Sequence, residues 1–138
     1  GENRGNLIKS LLKPTAIYAQ LVDQLLSEKL PIHGMTHITG GGLPENLPRI
    51  FPTGLTAKIR LESWEMPAIL KWVINEANLE DEEALKTFNC GIGFVVIVGK
   101  DHQKQFLEIC KKLNEKVYLI GETLEGTDLS FQGNLLLD

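Results

Sequence analysis

Cysteine is scarce in this sequence: Cys90 and Cys110 are the only two. Their spacing fits no metal-ligand motif, and two thiols make no disulfide framework. The expectation is therefore no metal site and a reducing, cytoplasmic setting. Long apolar runs are missing as well. The longest, Phe94 to Val98, falls far short of the roughly 20 residues a membrane-spanning helix needs. There is no basic run either. Lys and Arg number 14 against 18 Asp and Glu, for a net charge of −4. That balance argues against nucleic acid or an anionic membrane surface as partner. No repeat, heptad run or low-complexity tract is visible.

What is present is enough for one domain. The chain has 138 residues, 43% of them hydrophobic, which suffices for a core. Its centre of interest is Thr36-His37-Ile38-Thr39-Gly40-Gly41-Gly42-Leu43-Pro44-Glu45-Asn46-Leu47-Pro48-Arg49. Three consecutive glycines permit positive φ and let a ligand approach the amides. Pro44 suits the first turn of a helix, where its missing N–H costs nothing. The arc is expected to lead into a short helix that Pro48 disrupts. Free amides there favour an anion, although a plain flexible turn is the rival reading.

The remainder alternates helix and strand. Gly1 to Asn6 is polar and glycine-rich, in keeping with a start cut from something longer. Thr15 is a plausible N-cap, and Tyr18, Leu21, Val22, Leu25 and Leu26 recur at helical spacing over 16–29. Ile32 to Thr39 reads as a strand feeding the arc. Leu55 to Leu61 alternates as a half-buried strand. Pro67 starts a helix with Ile69, Trp72, Val73 and Ala77 on one face. Asn78 caps a further helix with Glu80, Asp81, Glu82 and Glu83 in its first turn, where the dipole favours carboxylates. Thr87-Phe88-Asn89-Cys90-Gly91-Ile92-Gly93 joins it to Phe94–Val98, expected as a central strand because it is apolar on both faces. Glycines just before such a strand permit close approach of a backbone or a ligand. Asp101 caps a last helix with Phe106, Ile109, Cys110 and Leu113 buried. Strands over Val117–Leu124 and Asn134–Leu137 form a closing hairpin. This order predicts an α/β, two-layer domain with a mixed β-sheet covered by helices.

The stretch HITGGGLPENLPR resembles the signature of the aminoimidazole ribonucleotide synthetase family, the phosphoribosylformylglycinamidine cyclo-ligases. Leu11-Leu12-Lys13-Pro14-Thr15-Ala16-Ile17-Tyr18, Ser63-Trp64 and Thr87 to Gly93 fit in the same order. The resemblance covers the C-terminal half of that enzyme. It implies residues 1–10 as linker from a missing N-terminal ATP-binding domain and 11–138 as the C-terminal synthetase domain. Ala16 stands where the family usually has arginine. The implied reaction is ATP-dependent ring closure of formylglycinamidine ribonucleotide to aminoimidazole ribonucleotide in purine biosynthesis. ATP and Mg2+ would be bound mainly by the missing half, and the complete enzyme would be a homodimer.

Roles by residue type follow. The amides of Gly40, Gly41 and Gly42, with Arg49, would hold a phosphate, arginine offering a two-pronged geometry. Thr39 and Asn46 join them as substrate-binding residues. His37 is the candidate catalytic residue, as donor or proton carrier; a backbone-satisfied strand histidine is its rival. His33 and His102 read as surface residues. Asn89, Gly91 and Gly93 line the cleft facing the missing half, with capping the rival for Asn46 and Asn89. Cys90 reads as packing rather than nucleophile, since no base stands near it in sequence. The chain alone is expected to be inactive. Alternatives are a selenophosphate synthetase or thiamine-monophosphate kinase type of enzyme, or a non-catalytic binding module.

Overall fold

The computed structural model describes residues 18–138. The linker expected over 1–10, the Thr15 cap and Ala16 lie outside the described residues. Helix α1 (Ala19–Ser27) buries Leu21 and Leu25, one turn apart, while Leu26, expected on the same face, is exposed. Strand β1 (Ile32–His37) runs into the glycine arc, then helix α2 (Gly42–Asn46) and a 3-10 turn (Leu47–Ile50). The short helix broken at Pro48 is thus as expected. Strand β2 (Leu55–Arg60) buries Ala57 and Ile59. Helices α3 (Ala68–Glu76) and α4 (Asp81–Thr87) follow, then strand β3 (Phe94–Val98) and helix α5 (Gln103–Lys112). Strands β4 (Gly121–Glu125) and β5 (Ser130–Gln132) complete the described chain.

Three helices stop in the same way. Lys29, Asn78 and Asn114 take φ values of 53°, 51° and 56°. The next amide then reaches back across the last turn: Leu30 to the Leu25 carbonyl at 3.3 Å, Leu79 to Ile74 at 3.1 Å, Glu115 to Cys110 at 2.9 Å. This left-handed closure satisfies carbonyls that the helix leaves free. Asn78 therefore ends α3 and does not cap α4, whose N-cap is Glu80. Helix α3 also turns another face inward than expected. Ile74 is buried and Leu70 packs beside it, while Trp72 is 47% exposed. Asp101 lies in a 3-10 turn before α5 and makes no cap bond there. The buried face of α5, Phe106, Ile109 and Cys110, is as expected.

The α/β class and the mixed pairing hold, with the strands divided between two sheets. β1 pairs antiparallel with β3; β2 pairs antiparallel with β4 and parallel with β5. The closing hairpin does not form, because the chain passes the start of β2 between its last two strands. The Gly126 N–H bonds the Gly54 carbonyl at 3.0 Å, and β5 then adds to the opposite edge of β2. The strand expected at 134–137 lies earlier, at β5. Expected as a central strand, β3 pairs among the described residues with β1 alone, and its side chains are half-buried. Val96 and Val98 pack on a cluster of Leu21, Leu25, Leu30, Phe106, Ile109 and Cys110, and Val95 packs on the main core. That main core includes Leu43, Leu47, Ile59, Trp64, Ile74, Leu85 and Cys90, so the helix that follows the arc is rooted in it.

Candidate functional site

The β1–β3 pairing sets the two glycine stretches side by side. His37 stands opposite Phe94, and the Ile38 N–H bonds the Gly93 carbonyl at 2.9 Å. At the arc, Gly41 and Gly42 take φ values of 87° and 61°, backbone that L side chains rarely adopt. Asn46, 3% exposed, holds the arc from inside. Its Nδ2 donates to the Gly42 carbonyl at 2.8 Å, to Gly40 at 3.3 Å and to Thr39 at 3.4 Å. Asn46 was expected to touch substrate. The structure turns it inward, because the carbonyls of a tight arc need a buried donor.

The three glycines differ. A Cβ on Gly42 would strike the Leu85 carbonyl of α4 and the Phe88 carbonyl just after it, and the Gly42 N–H is already bonded to the Thr39 carbonyl at 3.0 Å. Gly42, expected to offer its amide to phosphate, is thus glycine so that α4 can pack there. A Cβ on Gly41 would strike the Glu45 carboxylate. At Gly40 a Cβ would meet nothing within 4 Å. Among the described residues no backbone carbonyl accepts the Gly40 or Gly41 N–H. Thr39, Gly40, His37 and Arg49 are all exposed. Arg49 sits in the 3-10 turn and makes no ion pair among the described residues. Glu45 is exposed and its carboxylate lies on the side of Gly41 where a Cβ would stand.

In the second stretch, Asn89 Oδ1 accepts the Gly91 N–H at 2.9 Å and closes a turn. Gly91, at φ 95°, faces the Pro67 ring. Cys90 is fully buried, its Sγ 3.5 Å from the Ala84 carbonyl. Burial, and then the charge of Asp81, push its thiol up to about 11, which withholds the thiolate a nucleophile needs. Trp64, 3% exposed, donates from Nε1 to the Cys90 carbonyl at 2.9 Å. Tyr18 stacks on Phe94 at 4.9 Å and meets His37 edge-on at 5.7 Å. Burial, and then Glu115, raise the Tyr18 phenol, so it stays protonated. In the sequence Tyr18 stands out only as part of a helix face and Trp64 only within a stretch that carries the resemblance. Their presence in the matching stretches was the signal that could have marked them.

A cavity of about 550 Å³ lies between β3 and the segment 115–123. Gly91, Gly93, Phe94 and Tyr18 line it; Asn89 and the arc glycines do not. The acidic first turn of α4 does structural work. Asp81 accepts the Leu135 N–H at 3.0 Å, and Glu82 pairs with Lys86 at 2.7 Å. Among the described residues no group of three or more His, Cys, Asp or Glu side chains converges as a cation site. Those residues by themselves make no Mg2+ site. No helix among them is long and apolar enough to cross a membrane.

The profile described as "AIR synthase related protein, C-terminal domain" matches residues 2–134, and the chain belongs to that family. Among curated relatives it is 51% identical, over 99% of its length, to a phosphoribosylformylglycinamidine cyclo-ligase of Prochlorococcus marinus (strain NATL1A). It is 42% identical, over 84% of its length, to the protein of that name from Chromobacterium violaceum. The chain spans only 39% and 33% of those relatives. Two crystal structures share the fold. E. coli HypE, a hydrogenase maturation protein, superposes with a TM-score of 0.69 at 21% identity, over 89% of this chain and 40% of that one. Thiamine-monophosphate kinase from Stenotrophomonas maltophilia K279a gives 0.68 at 16% identity, over 93% of this chain and 39% of that one.

Proposed function

We propose that this chain is the C-terminal part of an ATP-dependent cyclo-ligase of purine biosynthesis, converting formylglycinamidine ribonucleotide to aminoimidazole ribonucleotide. The observation that carries this reading is the 51% identity over nearly the whole chain to a relative named for that activity. Residues 11–138 form the C-terminal synthetase domain, and 1–10 link it to an N-terminal domain that supplies most of the ATP and Mg2+ contacts. The complete protein is a cytoplasmic homodimer.

The chemistry sets what this domain must offer. An amide oxygen is a poor leaving group and phosphate a good one. The ATP γ-phosphoryl group passes to the amide oxygen of the substrate and ADP leaves. A neighbouring amidine nitrogen then attacks the amide carbon, and the oxygen departs with phosphate as the ring closes. Charge spread over the moving phosphoryl group is best held by donors fixed beforehand. The open Gly40 amide and that of Gly41, with Arg49, supply such donors for a phosphate. Thr39 adds a hydroxyl beside them. His37 stands at the start of the same arc, placed to donate a hydrogen bond or carry a proton. Asn46 serves from behind, by keeping three carbonyl oxygens turned away from the arriving anion. Asn89, Gly91 and Gly93 shape the wall that faces the other domain.

In the complete enzyme, Arg49→Ala is expected to raise the KM for the ribonucleotide about tenfold or more, the loss of a charge-assisted hydrogen bond. Unchanged KM and turnover would remove Arg49 from the site. The 138-residue chain alone is expected to show no turnover, because a cleft needs two walls. Ring closure by the isolated chain would overturn that expectation.

A further inference from the structure

We propose that Tyr18 is the positioning residue of His37, and that position 93 is glycine to make room for it. The proposal rests on the reading of His37 as a site residue.

Gly93 carries no positive φ, so its backbone suits any residue. Space alone forbids a side chain. A Cβ there would strike Tyr18 Oη, with Cζ of the same ring at 3.3 Å. Tyr18 therefore lies in a slot whose floor is Gly93. The next residue, Phe94, is the slot's wall. Its ring stacks on Tyr18 at 4.9 Å with only 22° between the planes. His37 lies directly across the ladder from Phe94. It meets Tyr18 edge-on, at 5.7 Å and 70°, and Phe94 more loosely, at 6.4 Å and 48°. Edge-to-face contact is the arrangement that ring quadrupoles favour.

His37 has little else to fix it. It is exposed at the end of β1, and no side-chain hydrogen bond to its ring is present among the described residues. An imidazole so placed samples several rotamers unless packing selects one. Tyr18 is the group that selects it. Three separate stretches of the chain thus meet at one point: the start of α1, the approach to the glycine arc, and the turn before β3. A site residue held this way is set before substrate arrives, which is what efficient proton or phosphoryl handling requires.

The test compares Tyr18→Leu, Tyr18→Phe, Gly93→Ala and the double variant Tyr18→Phe/Gly93→Ala. In the 138-residue chain, the His37 imidazole proton resonances are assigned by their loss in His37→Asn. Tyr18→Leu and Gly93→Ala are expected to move them toward random-coil positions. Tyr18→Phe keeps the ring and leaves them in place. The double variant, which removes the clashing hydroxyl, restores them. In the complete enzyme the first two variants are expected to lower kcat about tenfold or more with little change in ribonucleotide KM. The other two recover most of that loss. Resonances unmoved by Tyr18→Leu and Gly93→Ala would overturn the proposal, as would a double variant no better than Gly93→Ala. Should Tyr18→Leu not fold, the Gly93→Ala pair decides alone. If the unmodified complete enzyme lacks ring-closing activity, the functional reading falls, while the resonances still decide whether Tyr18 sets His37. If that enzyme is active and Tyr18→Leu keeps full kcat, the proposal falls by itself.

Discussion

The two glycine turns look alike in sequence and do different work. In the arc, one glycine faces free space, one faces a carboxylate, and one gives its room to the α4 backbone. In the turn before β3, Gly91 gives its room to Pro67 and Gly93 to Tyr18. Of these five positions, only Gly40 is open in the way a ligand needs. A missing side chain in this fold more often admits another part of the protein than a small molecule. In the arc, free space beside the backbone remains at Gly40 alone.

Substitution can break or sharpen that contrast. The largest effect is expected at Gly42→Ala. The new methyl meets backbone oxygens that cannot rotate away, at a φ of 61°. The loss should exceed about 4 kcal/mol, read as the denaturant midpoint or as failure to fold. Gly91→Ala comes next, at about 3 kcal/mol, from left-handed strain plus the Pro67 Cδ only 2.6 Å from the new methyl. Asn46→Ala leaves carbonyls of Thr39, Gly40 and Gly42 without their shared donor and should cost about 2 kcal/mol. Gly40→Ala should change stability by no more than about 0.5 kcal/mol, yet weaken phosphate binding in the complete enzyme. A large stability loss at Gly40 would erase the distinction between the turns.

Alkaline pH sharpens the contrast further, with no effect near neutrality. The Cys90 thiol lies inside the second turn and is pushed up to about 11, whereas the arc holds no thiol. In the unfolded chain the same thiol ionises near its ordinary value of about 8.5. Its burial therefore contributes fully below that value, and the contribution is lost as pH rises towards 11. Cys110, also raised to about 11, adds to the trend from the other cluster. Denaturant midpoints should be level to about pH 8 and then fall. Amide exchange should loosen at the bonded Phe88, Gly91 and Ile92 amides before the bonded Gly42 amide.

Much of this was legible in the chain. Local rules carried the arc, its proline-led helix, the break at Pro48, the β2 strand and the buried cysteine, although at the start of β2 Leu55 is exposed and Thr56 buried, against the expected alternation. What stayed hidden depends on parts that arrive from afar. Nothing near Gly42 announces that α4 will lie on it, and nothing near Gly93 announces Tyr18. Helix α3 offered two apolar faces, Ile69 with Trp72 and Val73, or Leu70 with Ile74. Periodicity alone does not choose between them. Asn78 fits a helix start and a helix end equally by residue type, and only its left-handed backbone decided. The closing strands fit a hairpin by spacing. They flank β2 instead because that strand has two edges to satisfy.

The Trp64 bond to the Cys90 carbonyl gives the molecule an optical gauge of its own. The chain has two tryptophans, and Trp72 is 47% exposed where Trp64 is 3% exposed. Iodide should quench the first and spare the second, leaving a blue-shifted emission from the indole that touches the turn before β3. That residual light would follow the tightening or release of the turn in real time, with no label attached.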